Sequence, residues 1–193
     1  MFFPADMNFQ YFFFNTYPGF FLQVLPIALI AGIICFVIRF SRDKKTKTSI
    51  KVFSALLVCY LVGLVCLTLL FDIVSDVWYR LLYRQDPGPG YSNSWIYDFS
   101  LRFRPNAETL FNLLMFLPFG ALFPLSCKKR SWKTTVLAGF ILVCSIELLQ
   151  PFFSRAFALT DIIMNTLGVV VSATLFFAVA GLCSKSDRNK QAI

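Results

Sequence analysis

The sequence predicts an all-α polytopic membrane protein. It has about five transmembrane helices, N-out and C-in, with an outer interfacial helix between spans 2 and 3. Three observations carry this expectation. First, 58% of the 193 residues are apolar and 15% charged, with mean hydropathy +0.69; a soluble domain carries about 45–50% apolar and about a quarter charged residues. Second, apolar runs fall at 19–38, 52–71, 110–126, 134–150 and 162–182, near the length of about 20 residues that crosses a bilayer as helix. The third and fourth runs are on the short side. Third, the basic residues sort between these runs rather than along them.

That sorting sets the orientation. Arg39, Arg42, Lys44, Lys45, Lys47 and Lys51 lie between the first two runs. Lys128, Lys129, Arg130 and Lys133 lie between the third and fourth, and Lys185, Arg188 and Lys190 follow the fifth. Every lysine is in these three segments, and the first 38 residues hold no basic residue. By the positive-inside rule the three segments face the cytoplasm and the N-terminus faces out. The net charge of +8 is thereby accounted for without a nucleic-acid partner. The expected location is the bacterial plasma membrane, in multi-pass form.

Taken in order, residues 1–18 form an aromatic N-terminus. Phe2, Phe3, Phe9, Tyr11, Phe12, Phe13, Phe14 and Tyr17 crowd it. Aromatic residues settle at bilayer interfaces, so this stretch reads as an anchor on the outer surface, with a partner-binding site as the other reading. It lacks the basic start of a cleavable signal peptide. Residues 19–71 supply two spans that carry no assignable motif. The extracytoplasmic segment 72–109 is too long for a turn. Within it, Val74, Val77, Trp78, Leu81 and Leu82 recur at helical spacing opposite Asp76 and Arg80, the pattern of a helix lying on the membrane surface. Pro87-Gly88-Pro89-Gly90 ends that helix, and Trp95, Tyr97, Phe99, Phe103, Arg102 and Arg104 return the chain to the interface. A three-helix region follows at 110–182, then a basic cytoplasmic tail at 183–193. Pro118, Gly120 and Pro124 interrupt the third span, either kinking it open or serving its packing.

Composition also removes functions. There is no histidine, so Ser-His-Asp and Cys-His hydrolases, zincins and His-ligated metal sites are excluded. The six cysteines (Cys35, Cys59, Cys66, Cys127, Cys144 and Cys183) sit within spans or at their cytoplasmic ends and form no C-x-x-C pair. No metal, cofactor or disulfide is expected.

The informative residues are polar and stand at the ends of the last three spans. Glu108 and Asn112 are four apart at the start of the third, and Glu147 and Gln150 three apart at the end of the fourth. Asp161 and Asn165 are four apart at the start of the fifth, and Arg155 lies in the connecting loop. These spacings put each pair on one helix face, and the topology puts all of them at the outer side. One polar pocket at the level of the outer headgroups is the expected product. Plainer roles are open for several members. Asp161 follows the N-cap candidate Thr160 and favours the helix dipole; Arg155 neutralises a nearby acid; Asn112 and Asn165 bond helix to helix. Glu147 lies a turn inside an apolar helix, where a carboxylate needs a partner or a wet cavity.

The run Asn112-Leu-Leu-Met-Phe-Leu-Pro-Phe-Gly120, then Glu147-Leu-Leu-Gln150, then Arg155 followed by Asp161-Ile-Ile-Met-Asn165-Thr-Leu-Gly168 resembles the VanZ-like family. That family carries an N-x-x-x-F-x-P-x-G span, an E-x-x-Q helix end and an R…D-x-x-x-N-x-x-G span in this order. The resemblance covers Glu108 to about Phe177. It departs where members often carry further acids, at Ala158 and Thr160. It implies a multi-spanning bacterial membrane protein and an association with resistance to the glycopeptide teicoplanin. Three functions are then weighed. The leading one is a binding protein of the cell envelope, whose pocket takes an outer-leaflet lipid headgroup, a lipid-linked cell-wall precursor or a lipoglycopeptide. Here Arg155, with Arg102 or Arg104, meets phosphate or carboxylate. The alternative is an intramembrane enzyme using Glu147 and Asp161 on a lipid-linked substrate. The third is a transporter, which the absence of midplane polar residues disfavours. Binding is preferred to catalysis, and no catalytic residue is assigned.

Overall fold

The computed structural model describes residues 8–86, 97–100, 107–128, 131–153 and 155–191, with backbone alone at Glu108 and over 184–191. Asn8 opens the described chain by accepting the Tyr11 N–H on its Oδ1 at 2.8 Å, which caps α1 (Phe9–Asn15). Thr16 ends α1 and caps the next helix, its Oγ1 accepting from the Gly19 N–H at 3.2 Å. Helix α2 (Tyr17–Arg42) carries Pro18 in its first turn and runs through Pro26. The join between α1 and α2 is tight enough that a Cβ on Gly19 would strike the Phe12 and Phe13 carbonyls.

The next elements are α3 (Thr48–Thr68), α4 (Phe71–Tyr83), the two-residue strand β1 (Tyr97–Asp98), α5 (Ala107–Ser126) and α6 (Trp132–Leu149). A 3₁₀ turn at Gln150–Phe153, strand β2 (Phe157–Ala158) and α7 (Leu159–Gln191) complete the chain. Five helical stretches are long and apolar enough to cross a membrane: Tyr17–Arg42, Thr48–Thr68, Thr109–Ser126, Trp132–Phe153 and Leu159–Cys183. The protein is an all-α polytopic membrane protein.

The helices alternate in direction, so their ends gather into two groups. One holds the starts of α2, α5 and α7 with the ends of α3 and α6. The other holds the basic segments. Around the bundle, α3 packs between α2 and α5, α5 packs most extensively on α7, and α6 packs on α7. The core lies where α3, α5, α6 and α7 meet, on Leu64, Phe116, Phe119, Val143, Ile146 and Val169. Many apolar side chains outside that core are exposed, as Ile33, Leu137 and Leu175 are.

Helix α5 is continuous through Pro118 and Pro124, so the prolines do not divide the span. Gly120 instead packs against Ser172 and Ala173 of α7, and Gly168 against the Leu113 carbonyl of α5. Small residues that let backbones approach are the usual means of joining helices in lipid, where no hydrophobic drive exists between them.

At the basic end Arg39 Nη1 donates to Ser54 Oγ at 2.6 Å, and the Ser54 hydroxyl donates to the Ile50 carbonyl at 2.7 Å, with the Ser126 carbonyl of α5 at 3.4 Å, so α2, α3 and α5 meet here. Asp43 holds the turn between α2 and α3. It accepts from the Thr46 and Lys45 N–H groups, and these bonds with the Thr46 hydroxyl keep its carboxyl below the usual range.

Three sequence expectations are refined. The surface helix is α4, longer at its start than the 74–82 stretch that sequence periodicity marks. Its Val74 is buried and its Trp78 donates through Nε1 to the Gln23 carbonyl at 2.8 Å. The aromatic N-terminus is divided: Phe13 is buried edge-on to Trp78 at 5.7 Å, whereas Phe9 and Tyr11 are exposed. α1 therefore docks on α2 and α4 as well as facing outward. Helix α7 runs on past 182 to Gln191, since no proline or glycine follows Gly181 to stop it.

Candidate functional site

Glu147 is the centre of the polar cluster. Its position in the last turn of α6 faces α7, and its side chain is 1% exposed. Asn165 Nδ2, from α7, donates to Glu147 Oε1 at 3.1 Å. Gln150, in the 3₁₀ turn, satisfies both ends of its amide in one orientation only. There its nitrogen donates to Glu147 Oε2 at 2.9 Å and to the Ala156 carbonyl at 3.0 Å. The Ala158 N–H of β2 also donates to the Glu147 carboxylate. One carboxylate thus ties together the end of α6, the turn after it, the strand that follows and the start of α7. A carboxylate removed from water needs such partners, because an unpaired buried charge is costly.

Strand β2 is held from its other side. It pairs in parallel with β1, Tyr97 opposite Phe157 and Asp98 opposite Ala158. Phe157 is buried, with the Phe99 ring 5.4 Å and the Tyr97 ring 6.0 Å away. Tyr97 and Phe99 thus pack on β2, next to the residues that surround Glu147. Phe157 and Ala158 have no polar side chain, so residue type gave no sign of their part in the site.

The turn of 150–158 that Glu147 secures carries Arg155, whose N–H donates to the Gln150 carbonyl at 3.1 Å. Its side chain is exposed and lines a cavity of about 320 Å³ together with Asn112, Tyr17, Phe71 and Phe111. Arg155 and Asp161 are both near enough for their charges to act on Glu147. Six of the seven residues singled out in the sequence thus fall into two adjoining groups. Glu147, Gln150 and Asn165 form the buried hydrogen-bonded cluster, with Asp161 beside it. Asn112 and Arg155 face the cavity. The side chain of Glu108, and Arg102 and Arg104, lie outside the described residues.

A second cavity, of about 370 Å³, continues below the first between α2, α3 and α5. Its walls come from Ala28, Tyr60, Gly63 and Pro118, and it shares Phe21, Leu67, Phe111 and Met115 with the cavity above. Of the motif positions, Pro118 lines this space. A further sequence signal is Tyr60, an isolated hydroxyl in mid-span; it donates to the Met115 carbonyl at 2.9 Å. Among the described residues, no three His, Cys, Asp or Glu side chains converge on a point where a metal ion would be held.

The family model VanZ/LLP1 matches residues 20–180 of the chain. The chain belongs to the VanZ/LLP1 family. The match reaches well beyond the C-terminal half that the sequence motifs delimit and takes in both N-terminal spans. This agrees with the geometry, because α2 and α3 build half of the cavity that Arg155 faces. No curated protein and no solved structure matches the chain. Within the VanZ/LLP1 chain the N-x-x-x-F-x-P-x-G run gives Asn112 to the cavity and Gly120 to the α5–α7 contact. The E-x-x-Q pair gives the buried clamp. The last motif gives Asn165 to the clamp and Gly168 to the same helix contact.

Proposed function

We propose that this VanZ-like membrane protein binds an anionic group of the cell envelope at the outer side of the bacterial plasma membrane, and thereby contributes to glycopeptide (teicoplanin) resistance. The ligand class is an outer-leaflet lipid, a lipid-linked cell-wall precursor or a lipoglycopeptide. The observation that carries the reading is Arg155 beside Asn112 on one cavity, at the end of the bundle away from the basic segments. A guanidinium presents paired donors that match phosphate or carboxylate oxygens, and Asn112 adds an amide to them.

In this reading Glu147 is a positioning residue. Its carboxylate oxygens are occupied by Asn165, Gln150 and the Ala158 N–H, so its contribution is to fix the turn that presents Arg155. The enzyme alternative would need Glu147 or Asp161 to reach a substrate. Near-complete burial of Glu147 argues for the binding role.

The test is to identify by mass spectrometry the lipids that copurify with the detergent-extracted protein, and to repeat this with Arg155→Lys and Arg155→Gln. A phosphate- or carboxylate-bearing class enriched on the wild type, reduced in the Lys variant and lost in the Gln variant, is the expected outcome. Equal recovery from all three would remove Arg155 from the site. Turnover of a lipid-linked substrate that disappears in Asp161→Asn while binding survives would replace the binding reading by the enzyme.

A further inference from the structure

The two cavities adjoin and share part of their walls, one end polar and the other apolar. Arg155 and Asn112 stand at the upper end, and Phe21, Leu67, Phe111 and Met115 belong to both parts. Below them the walls are apolar apart from the Tyr60 hydroxyl, which is already bonded to the Met115 carbonyl. Volumes of about 320 and 370 Å³ each lie within the range of about 300–1,000 Å³ typical of ligand pockets.

The space is open sideways. Helices α2 and α5 both pack on α3 but make little contact with each other. Leu25 and Leu114 flank the gap and are 47% and 44% exposed, so it faces the hydrocarbon of the bilayer. At the top the gap is bridged by the Tyr17 and Phe111 rings, stacked at 4.3 Å. A chain therefore reaches the lower cavity from within the membrane rather than from water. Gly63 keeps it wide: a Cβ there would meet only the Ala28 Cβ, at 3.5 Å.

We propose that the lower cavity is a slot for one hydrocarbon chain of an anionic phosphate lipid drawn from the surrounding bilayer, with the lipid's phosphate on Arg155. The inference rests on the headgroup reading above and adds to it the tail, its location and its lateral route. The slot gains nothing by hydrophobicity alone, because lipid tails are as apolar as its walls. Its selectivity comes from joining a cation to an apolar channel at a fixed distance.

The experiment uses the full chain in phosphatidylcholine nanodiscs and hexadecyl phosphate bearing a photoactivatable diazirine on its chain. Cross-linked peptides are mapped by mass spectrometry, and retention of unmodified hexadecyl phosphate is compared with that of hexadecanol. In the wild type the label is expected on Ala28, Tyr60 and Pro118, with the phosphate retained well above the alcohol. Gly63→Leu fills the slot and is expected to cut that label by about tenfold, a difference of about 1.4 kcal/mol. Gly63→Ala makes only ordinary contact and is expected to give an intermediate loss, so the result does not hang on the larger variant folding. Arg155→Gln is expected to abolish the preference for phosphate over alcohol. Label on the outer face of α2, at Ile33 and Val37, indifferent to both Gly63 variants, would overturn the slot even while the Arg155 dependence persists. Slot label that survives in Arg155→Gln, with phosphate and alcohol retained alike, would leave the slot and overturn the headgroup reading.

Discussion

Asn165 Nδ2 donates to Glu147 Oε1 at 3.1 Å across the α6–α7 interface, with both side chains buried. The Asn165 Oδ1 on the other side of the same amide has no hydrogen-bond partner among the described residues. The pair is therefore asymmetric, and a rotated Asn165 amide would offer an acceptor in place of a donor.

That asymmetry separates two substitutions of Glu147. Glu147→Gln keeps an oxygen for the Gln150 and Ala158 donors, and its new amide finds the Asn165 oxygen on rotation. Glu147→Leu leaves several donors unpaired, each costing about 1–3 kcal/mol. We expect Glu147→Gln at normal membrane abundance and Glu147→Leu with a clearly lower Tm in detergent. Equal thermal stability of the two would mean that the cluster is not a structural clamp.

If Glu147 acts through Arg155, their effects on function must overlap. Glu147→Leu, which breaks the clamp, is expected to weaken ligand retention and the cellular change in glycopeptide susceptibility, and the double variant with Arg155→Gln to be no worse than Arg155→Gln alone. Residues that act through one another fail to add in such a cycle. Additive losses would give Glu147 a role of its own.

Gly168 should tolerate no side chain, because its neighbour is the Leu113 backbone carbonyl rather than a mobile side chain. Gly168→Leu forces α5 from α7, at the roughly 1–3 kcal/mol typical of overpacking or more. Gly181 has nothing within 4 Å, so Gly181→Leu on the same helix serves as the control. Folded yield by size-exclusion chromatography should fall for the first and not for the second.

Trp78→Phe retains the ring beside Phe13 but loses the Nε1 donor to the Gln23 carbonyl. The loss is about 0.5–1.5 kcal/mol. It should appear as faster hydrogen exchange in α1 and α4, with exchange in α6 and α7 unchanged.

Orientation is tested in a cysteine-free background. A cysteine at Asp86, after the exposed end of α4, is expected to react with an impermeant thiol reagent on intact cells. One at Lys45, exposed in the basic turn, is expected to stay unlabelled. Thr46 is a poorer reporter because it is buried and bonded to Asp43. Labelling at Lys45 from outside would invert the bundle and move Arg155 to the cytoplasmic face.

What the sequence determined by itself was the class and the five spanning helices. Runs of apolar residues near the bilayer thickness specify spanning helices because backbone groups in lipid must be bonded within the segment. The polar pairs were legible because spacings of three and four fix a helix face, and the glycines and Asn112, Glu147 and Asn165 because they stand in ordered motifs. The tertiary structure alone decided which of these residues meet. Glu147 with Gln150 and Asn165 closes into a clamp, whereas Asn112 and Arg155 open onto a cavity, a division set by how α5, α6 and α7 cross. Strands β1 and β2 pair across residues far apart in sequence, and two-residue pairings leave no periodic pattern to read. The slot was hidden for a related reason. Its walls are apolar residues of α2, α3 and α5 no different in type from those facing lipid, and only the gap between α2 and α5 makes them a site.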